Sequence, residues 1–181
     1  LLPGIHHIRY NNEADLAMID TKTAAVVVEP IQAEAGIIAP APGYLQRIKE
    51  RCLETGALLI MDEIQTGFGR TGKLFGFEHQ GAIPDIICFA KSFGGGMPLG
   101  AFVSSGTYMK ELTFDPPLGH ITTFGGHPVS CAAGLAAQEY VMQHRLIDHA
   151  RKMGERYREM MKHEAIDHIR GSGLYLAVVF K

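Results

Sequence analysis

Two short apolar runs in this chain end on residues that can do chemistry. Ala57 to Met61 runs into Asp62 and Glu63, and Asp85 to Ala90 runs into Lys91. A lone lysine is usually a solvated surface charge, and an aspartate in such a place commonly caps a turn. Here both fall just past the carboxyl ends of consecutive strands, where α/β sheets gather functional groups. Lys91 is also followed by Gly94, Gly95 and Gly96, and backbone without side chains lets a ligand come close. An amine partly removed from water suits the work of a nucleophile and base.

Other patterns carry less. Gly67, Gly69 and Gly72 match G-x-G-x-x-G, and Gly67 to Lys73 matches the first seven positions of a phosphate-binding P-loop. A P-loop needs Ser or Thr after its lysine to hold magnesium, and this chain has Leu74 there. Both motifs need a helix whose N-terminus faces the phosphates, yet Leu74 to Gly81 is short and interrupted by Gly76. His163 and His168 are five positions apart, which on a helix places them on different faces, unlike the i, i+4 pair of zinc proteases. His6 and His7 diverge in any regular backbone. No metal site is expected.

The elements that must position Asp62 and Lys91 follow from pattern. Ala24 to Glu29 is β-branched and apolar without alternation, which predicts a strand buried on both faces. A helix is expected from near Gly43, with Leu45, Ile48 and Cys52 on one stripe and Gly56 as its stop. Ala57–Met61 and Asp85–Ala90 are the next strands, and Leu99–Val103 is a fourth apolar run. Strand, helix, strand at this spacing predicts an α/β domain with a largely parallel sheet. Pro128 can open a long helix. A second helix is expected over Leu146–Met161, with Ile147, Ala150, Met153, Tyr157, Met160 and Met161 on one face. Gly171 to Gly173 then turn into a terminal strand.

Composition sets the outer bounds. The chain has 181 residues, 46% of them apolar and 20% charged, as ordinary globular domains do. A net charge of −2 gives no basic footprint for nucleic acid. No apolar run is long enough for a membrane span. Cys52, Cys88 and Cys131 are far apart, which suits free thiols in the cytoplasm. The chain opens at Leu1 and stops at Lys181 within an apolar run, so a piece of a longer protein is expected.

Two blocks closely resemble the signature of class III aminotransferases: Met61-Asp62-Glu63-Ile64-Gln65-Thr66-Gly67, and Phe89-Ala90-Lys91-Ser92-Phe93-Gly94-Gly95-Gly96-Met97-Pro98. Three more follow the family's order: Val28-Glu29-Pro30-Ile31-Gln32-Ala33-Glu34-Ala35-Gly36, Thr122-Thr123-Phe124-Gly125-Gly126, and Arg170-Gly171-Ser172-Gly173-Leu174. The opening Leu2-Pro3-Gly4 is similar as well. The resemblance implies part of a fold-type-I transferase large domain over 1–127, then linking helices and the start of a small C-terminal α/β domain over 128–181.

The same resemblance implies pyridoxal 5'-phosphate as cofactor, held by Lys91 as a Schiff base. It gives Asp62 to the pyridinium nitrogen, Gln65 to the phenolic oxygen and Ile64 to one ring face. Thr123 resembles the residue that binds the cofactor phosphate of a neighbouring subunit, which implies a homodimer with composite sites. Glu29 and Glu34 resemble pocket glutamates of the ornithine, acetylornithine and 4-aminobutyrate branch, the second able to meet a substrate-binding arginine. Glu63 is expected to support the turn. The implied reaction moves an amino group from an ornithine-like amine to a 2-oxo acid such as 2-oxoglutarate. Ala33, Ala35 and His127 stand where Gly, Gly and Asn are more usual, which touches the choice of substrate. The family's phosphate loop and its substrate arginine lie in segments this chain lacks, so the chain alone is expected to be inactive. The alternatives are an aminomutase or decarboxylating enzyme of the same fold, or a non-catalytic fragment that needs a partner.

Overall fold

In the computed structural model, Ala25–Val28 forms β1, Tyr44–Thr55 forms α1 and Leu58–Asp62 forms β2. Residues 3–117 and 120–181 are described, so the reading of Leu2, Pro3 and Gly4 falls in part outside the described residues. β2 lies parallel to β1 with Val28 opposite Met61. Ile86–Phe89 forms β3, parallel to β2 with Asp62 opposite Cys88. Ala101–Ser104 forms β4, which joins as an antiparallel edge and completes the order β1-β2-β3-β4. The strand reverses because residues 90–100 turn back directly, without the crossover that a parallel neighbour needs.

The expected stripe on α1 is what docks it. Tyr44, Leu45, Ile48 and Cys52 are buried, at the spacing that keeps one helical face apolar. They meet Val26, Leu59 and Met61 on one face of the sheet, with Leu16 and Ile19 closing the core from a 3-10 segment over Glu13–Met18. Each such aliphatic side chain stabilises the fold by about 2 kcal/mol. The other face is different. Val27 is 66% exposed beside Val26 at 9%, so the expectation of a strand buried on both faces is corrected here. Among the described residues a helical layer covers one side of β1 only.

Gly106–Glu111 forms a short α2. Pro128–Gln143 forms α3, with the proline in its first turn, and Leu146–Met160 forms α4. On the expected apolar face of α4, Ala150 is buried while Tyr157 and Met160 are 50% and 67% exposed; its Ile147, Arg151 and Gly154 lie close to Gly69, Gly72 and Gly173. That strand, β5 (Ile166–Ser172), pairs antiparallel with β6 (Tyr175–Phe180), Ser172 opposite Tyr175. The sequence reading missed β5, since Asp167, His168 and Arg170 dilute its apolar signal. Gly171 to Gly173 are therefore the tip of a hairpin, and His168 lies on a strand, not a helix.

Leu59 is fully buried between α1 and the sheet. Leu59→Ala should cost about 3 kcal/mol, read as a lower urea midpoint at unchanged slope. Leu53→Ala, at a 68% exposed position of the same helix, should stay within about 0.5 kcal/mol.

Candidate functional site

Asp62 ends β2, and Lys91 follows β3 after one residue, Ala90. The pairing of Asp62 with Cys88 sets the two Cα atoms roughly 10 Å apart, given the usual rise along a strand and spacing between strands. Asp62 is half-buried, and Oδ1 accepts from the Ile64 backbone N–H at 3.0 Å. Lys91 begins a 3-10 turn, Lys91–Gly94, and holds φ at 51°. That left-handed conformation costs a non-glycine residue roughly 1–2 kcal/mol and persists where the surroundings over-determine it. Lys91 is exposed, so the desolvation expected of it is not supplied by the described residues.

The surroundings that hold this turn are visible. A Cβ on Gly95 would come within 2.5 Å of the Ala133 carbonyl oxygen and 2.8 Å of Ala137 Cβ on α3. Gly95 is therefore spent on close packing against α3, and not on approach to a ligand. Gln138 Nε2 donates to the Ser92 carbonyl at 3.3 Å. On the other side, Phe68 stacks on Phe93 with ring centroids 5.2 Å apart and meets Phe89 at 5.0 Å, while Phe75 stacks on Phe89 at 5.3 Å. Phe89 and Phe93 flank Lys91 in sequence, and their contacts with Phe68 and Phe75 tie its turn to the β2–β3 connection. The sequence reading did not single them out, although Phe68, Phe75, Phe77, Phe89 and Phe93 are more than half of the chain's nine phenylalanines.

Glu63 supports the turn as expected. It is 1% exposed and accepts from the Thr66 hydroxyl, the Gly76 N–H at 2.8 Å and the Phe77 N–H at 2.9 Å. Gly67 to Lys73 coil above it as turns, and a four-residue 3-10 helix, Gly76–His79, follows. The α-helix that a phosphate loop would need is absent from this stretch.

Glu29, Glu34 and Gln65 come together. Glu29 Oε2 accepts from the Ala33 N–H at 2.9 Å, and Gln65 Nε2 donates to Glu34 Oε1 at 3.3 Å. A residue the sequence did not flag joins them: the Tyr175 hydroxyl lies 3.5 Å from Gln65 Oε1. Thr123 stands in an exposed turn before α3 and makes no hydrogen bond to this group among the described residues. His127 serves as the N-cap of α3, its ring Nδ1 accepting from Ser130 N–H at 3.4 Å. An asparagine would do the same work.

The donor set suits a flat heteroaromatic ring that bears an aldehyde. It offers an amine at one strand end, a carboxylate with one oxygen committed at the next, and an amide nearby.

Comparisons with known proteins agree with that chemistry. The profile of the family described as aminotransferase class-III matches residues 6–181. Acetylornithine aminotransferase of Streptomyces coelicolor is 44% identical over 184 residues, covering 98% of this chain and 45% of that protein. A structure of ornithine aminotransferase from Toxoplasma gondii, with pyridoxal phosphate at partial occupancy in its active site, superposes at a TM-score of 0.90. It is 38% identical and covers 99% of this chain and 44% of its own. Acetylornithine aminotransferase from Elizabethkingia anophelis gives 0.88 at 37% identity, over 99% of this chain and 46% of its own. The chain thus spans about half the length of the relatives it matches.

Burial raises the Glu63 carboxyl above its ordinary value, against the opposing hydrogen bonds of Thr66, Phe77 and Gly76. The folded protein therefore keeps this proton to higher pH than the unfolded chain does. Between the two pKa values the folded state binds more protons, and stability falls as pH rises. The lead of the natural protein over Glu63→Gln should be greatest near pH 4 and shrink as pH climbs through the folded-state pKa. Melting temperatures of both proteins from pH 4 to 8 test this, and a lead that grows with pH would contradict it.

Proposed function

The chain belongs to the class-III aminotransferase family, and from that premise we propose that the full-length protein carrying it is a pyridoxal-phosphate-dependent transaminase. It takes an amino group from an ornithine-like donor, free or N-acetylated, and passes it to a 2-oxo acid such as 2-oxoglutarate. The observation that carries this reading is the amine of Lys91 and the carboxylate of Asp62 at the carboxyl ends of adjacent parallel strands. The 44% identity to an acetylornithine aminotransferase favours the donor class.

When bound, pyridoxal phosphate supplies an electron sink for charge released at the donor carbon. Lys91 Nζ is the group that would hold the cofactor's aldehyde carbon and, once free, would move a proton at the donor carbon. The left-handed turn at Lys91, locked by Gly95 against α3, aims that amine. Asp62 would hold a proton on the cofactor's ring nitrogen. Its Oδ1 is steadied by the Ile64 N–H, and Ile64 would pack on one face of the ring. Gln65 offers its amide to the phenolic oxygen. Glu29 and Glu34 line the donor end, and Glu34 is the carboxylate that an arginine from the rest of the protein would meet.

Thr123 belongs to the cofactor phosphate of a neighbouring subunit. The strongly exposed Ile121, Phe124 and Val129 around it, at 64%, 79% and 57%, support a homodimer that covers this stretch. Residues 1–127 would then be part of the cofactor-binding large domain and 128–181 the linking helices and the start of the small one, a reading that the separate sheet of β5 and β6 supports. The free Cys52, Cys88 and Cys131 suit the reducing cytoplasm. Among the described residues no helix is long and apolar enough to cross a membrane.

Borohydride reduction of the full-length protein loaded with pyridoxal phosphate, followed by peptide mapping, should place a pyridoxyl group on Lys91. A label on another lysine refutes the assignment. Asp62→Asn should retain cofactor and lose turnover by several kcal/mol in the barrier, on the order of other preorganised charge effects, because a neutral amide cannot keep the ring nitrogen protonated. Near-normal turnover in that variant would remove Asp62 from the role.

A further inference from the structure

The C-terminal hairpin brings into the site a side chain that the proposed chemistry does not use. Tyr175 opens β6 and is 8% exposed. Its ring packs with Ile31, Ala33 and Ile37 on the loop that carries Glu34. Its hydroxyl lies 3.5 Å from Gln65 Oε1, while the other end of the same amide, Nε2, donates to Glu34 Oε1 at 3.3 Å.

A glutamine amide can stand either way round, and its neighbours decide which. A carboxylate only accepts, so the nitrogen faces Glu34 and the oxygen is left facing Tyr175. The neutral phenol donates to that oxygen, whereas a phenolate there would repel it. Burial pushes the Tyr175 hydroxyl up to about 12, with the charges of Glu29 and Glu34 adding to the effect, so it keeps its proton throughout the working range. The ring is also held in place. Arg170 Nε donates to the Gly36 carbonyl at 2.7 Å and Ser172 Oγ to the Thr71 carbonyl at 2.9 Å, which fastens the hairpin to the loops on either side.

We propose that Tyr175 is a positioning residue for the site: by donating to Gln65 Oε1, its hydroxyl holds the Gln65 amide in the orientation that Glu34 selects. One amide N–H then holds Glu34, and the second is the group Gln65 can offer a ligand. Gln65 is thereby committed to recognise a ligand atom that accepts a hydrogen bond, as a phenolate oxygen does, and to refuse one that donates. The identity of that ligand rests on the transaminase reading. The coupling of Tyr175 to Gln65 does not.

The test is a cycle of Tyr175→Phe, Gln65→Ala and the double variant in the full-length protein. Phenylalanine keeps the ring among Ile31, Ala33 and Ile37, so packing is preserved. In cofactor-free protein, Tyr175→Phe should lower the melting temperature on the natural background and leave it unchanged on the Gln65→Ala background. With pyridoxal phosphate, Tyr175→Phe should weaken binding by about five-fold, the worth of one ordinary hydrogen bond, and shift the bound cofactor's absorption band in the direction that Gln65→Ala shifts it. Fully additive melting losses, or a band that moves in Gln65→Ala but not in Tyr175→Phe, overturn the proposal. If the natural protein takes up no pyridoxal phosphate, the transaminase reading fails, and the cofactor-free cycle still decides whether Tyr175 acts through Gln65.

Discussion

The parallel pairing of β2 with β3 is the constraint on which the site depends. It sets Asp62 and Lys91 at the same end of the sheet, and it obliges residues 63–85 to carry the chain back to the start of β3. Such crossovers usually contain an α-helix, whose own hydrogen bonds satisfy the backbone. This one does not. A single buried carboxylate, Glu63, takes over part of that work by accepting from Thr66, Gly76 and Phe77, and the phenylalanine cluster supplies the apolar contacts a helix face would have given. Gly76 fits because a Cβ there would stand 3.0 Å from both Pro30 and Thr66 side-chain carbons. The crossover is thus folded around Glu63, one residue from Asp62.

What the sequence made legible is what local pattern encodes. β1, α1, β2 and β3 are short runs with clean stops, and α1 shows its buried stripe in the spacing of Leu45, Ile48 and Cys52. Asp62 and Lys91 could be singled out because strand ends are places where function collects. Tyr175 could not, since its partner Gln65 lies far away along the chain and the contact depends on how a hairpin docks. β5 escaped for a related reason. Its strand character comes from pairing with β6, while its own residues, with Asp167, His168 and Arg170, look like loop. Burial on both faces of β1 was inferred from composition alone, and composition does not say how many layers are present.

The hairpin and the sheet are joined through backbone carbonyls as well as through Tyr175. Arg170 reaches the carbonyl of Gly36, Ser172 that of Thr71, and the Leu174 N–H that of Arg70 at 3.1 Å. A Cβ on Gly173 would lie 2.4 Å from the Thr71 carbonyl carbon, so the turn of the hairpin can sit there only without a side chain. Main-chain acceptors are insensitive to substitution at their own positions. Gly36 is constrained all the same, because it holds φ at 107° and a Cβ there would come within 2.7 Å of the Arg170 guanidinium, while Arg170, Ser172 and Gly173 supply the donors and the clearance.

Placement and desolvation of the reactive amine are separable in this fold. Lys91 is held in a left-handed turn by Gly95 against α3 and by Phe89 and Phe93 against Phe68, all of it within the chain. Lys91 is exposed, and the side of the sheet at Val27 is open, so among the described residues no layer excludes water there. Strain at Lys91 is a local property that short-range packing can enforce. Exclusion of water needs area, and area has to come from surfaces that close over the sheet. A fold that fixes the backbone of Lys91 by local packing can accept different covering surfaces without losing the placement of Lys91 beside Asp62 at one end of the sheet.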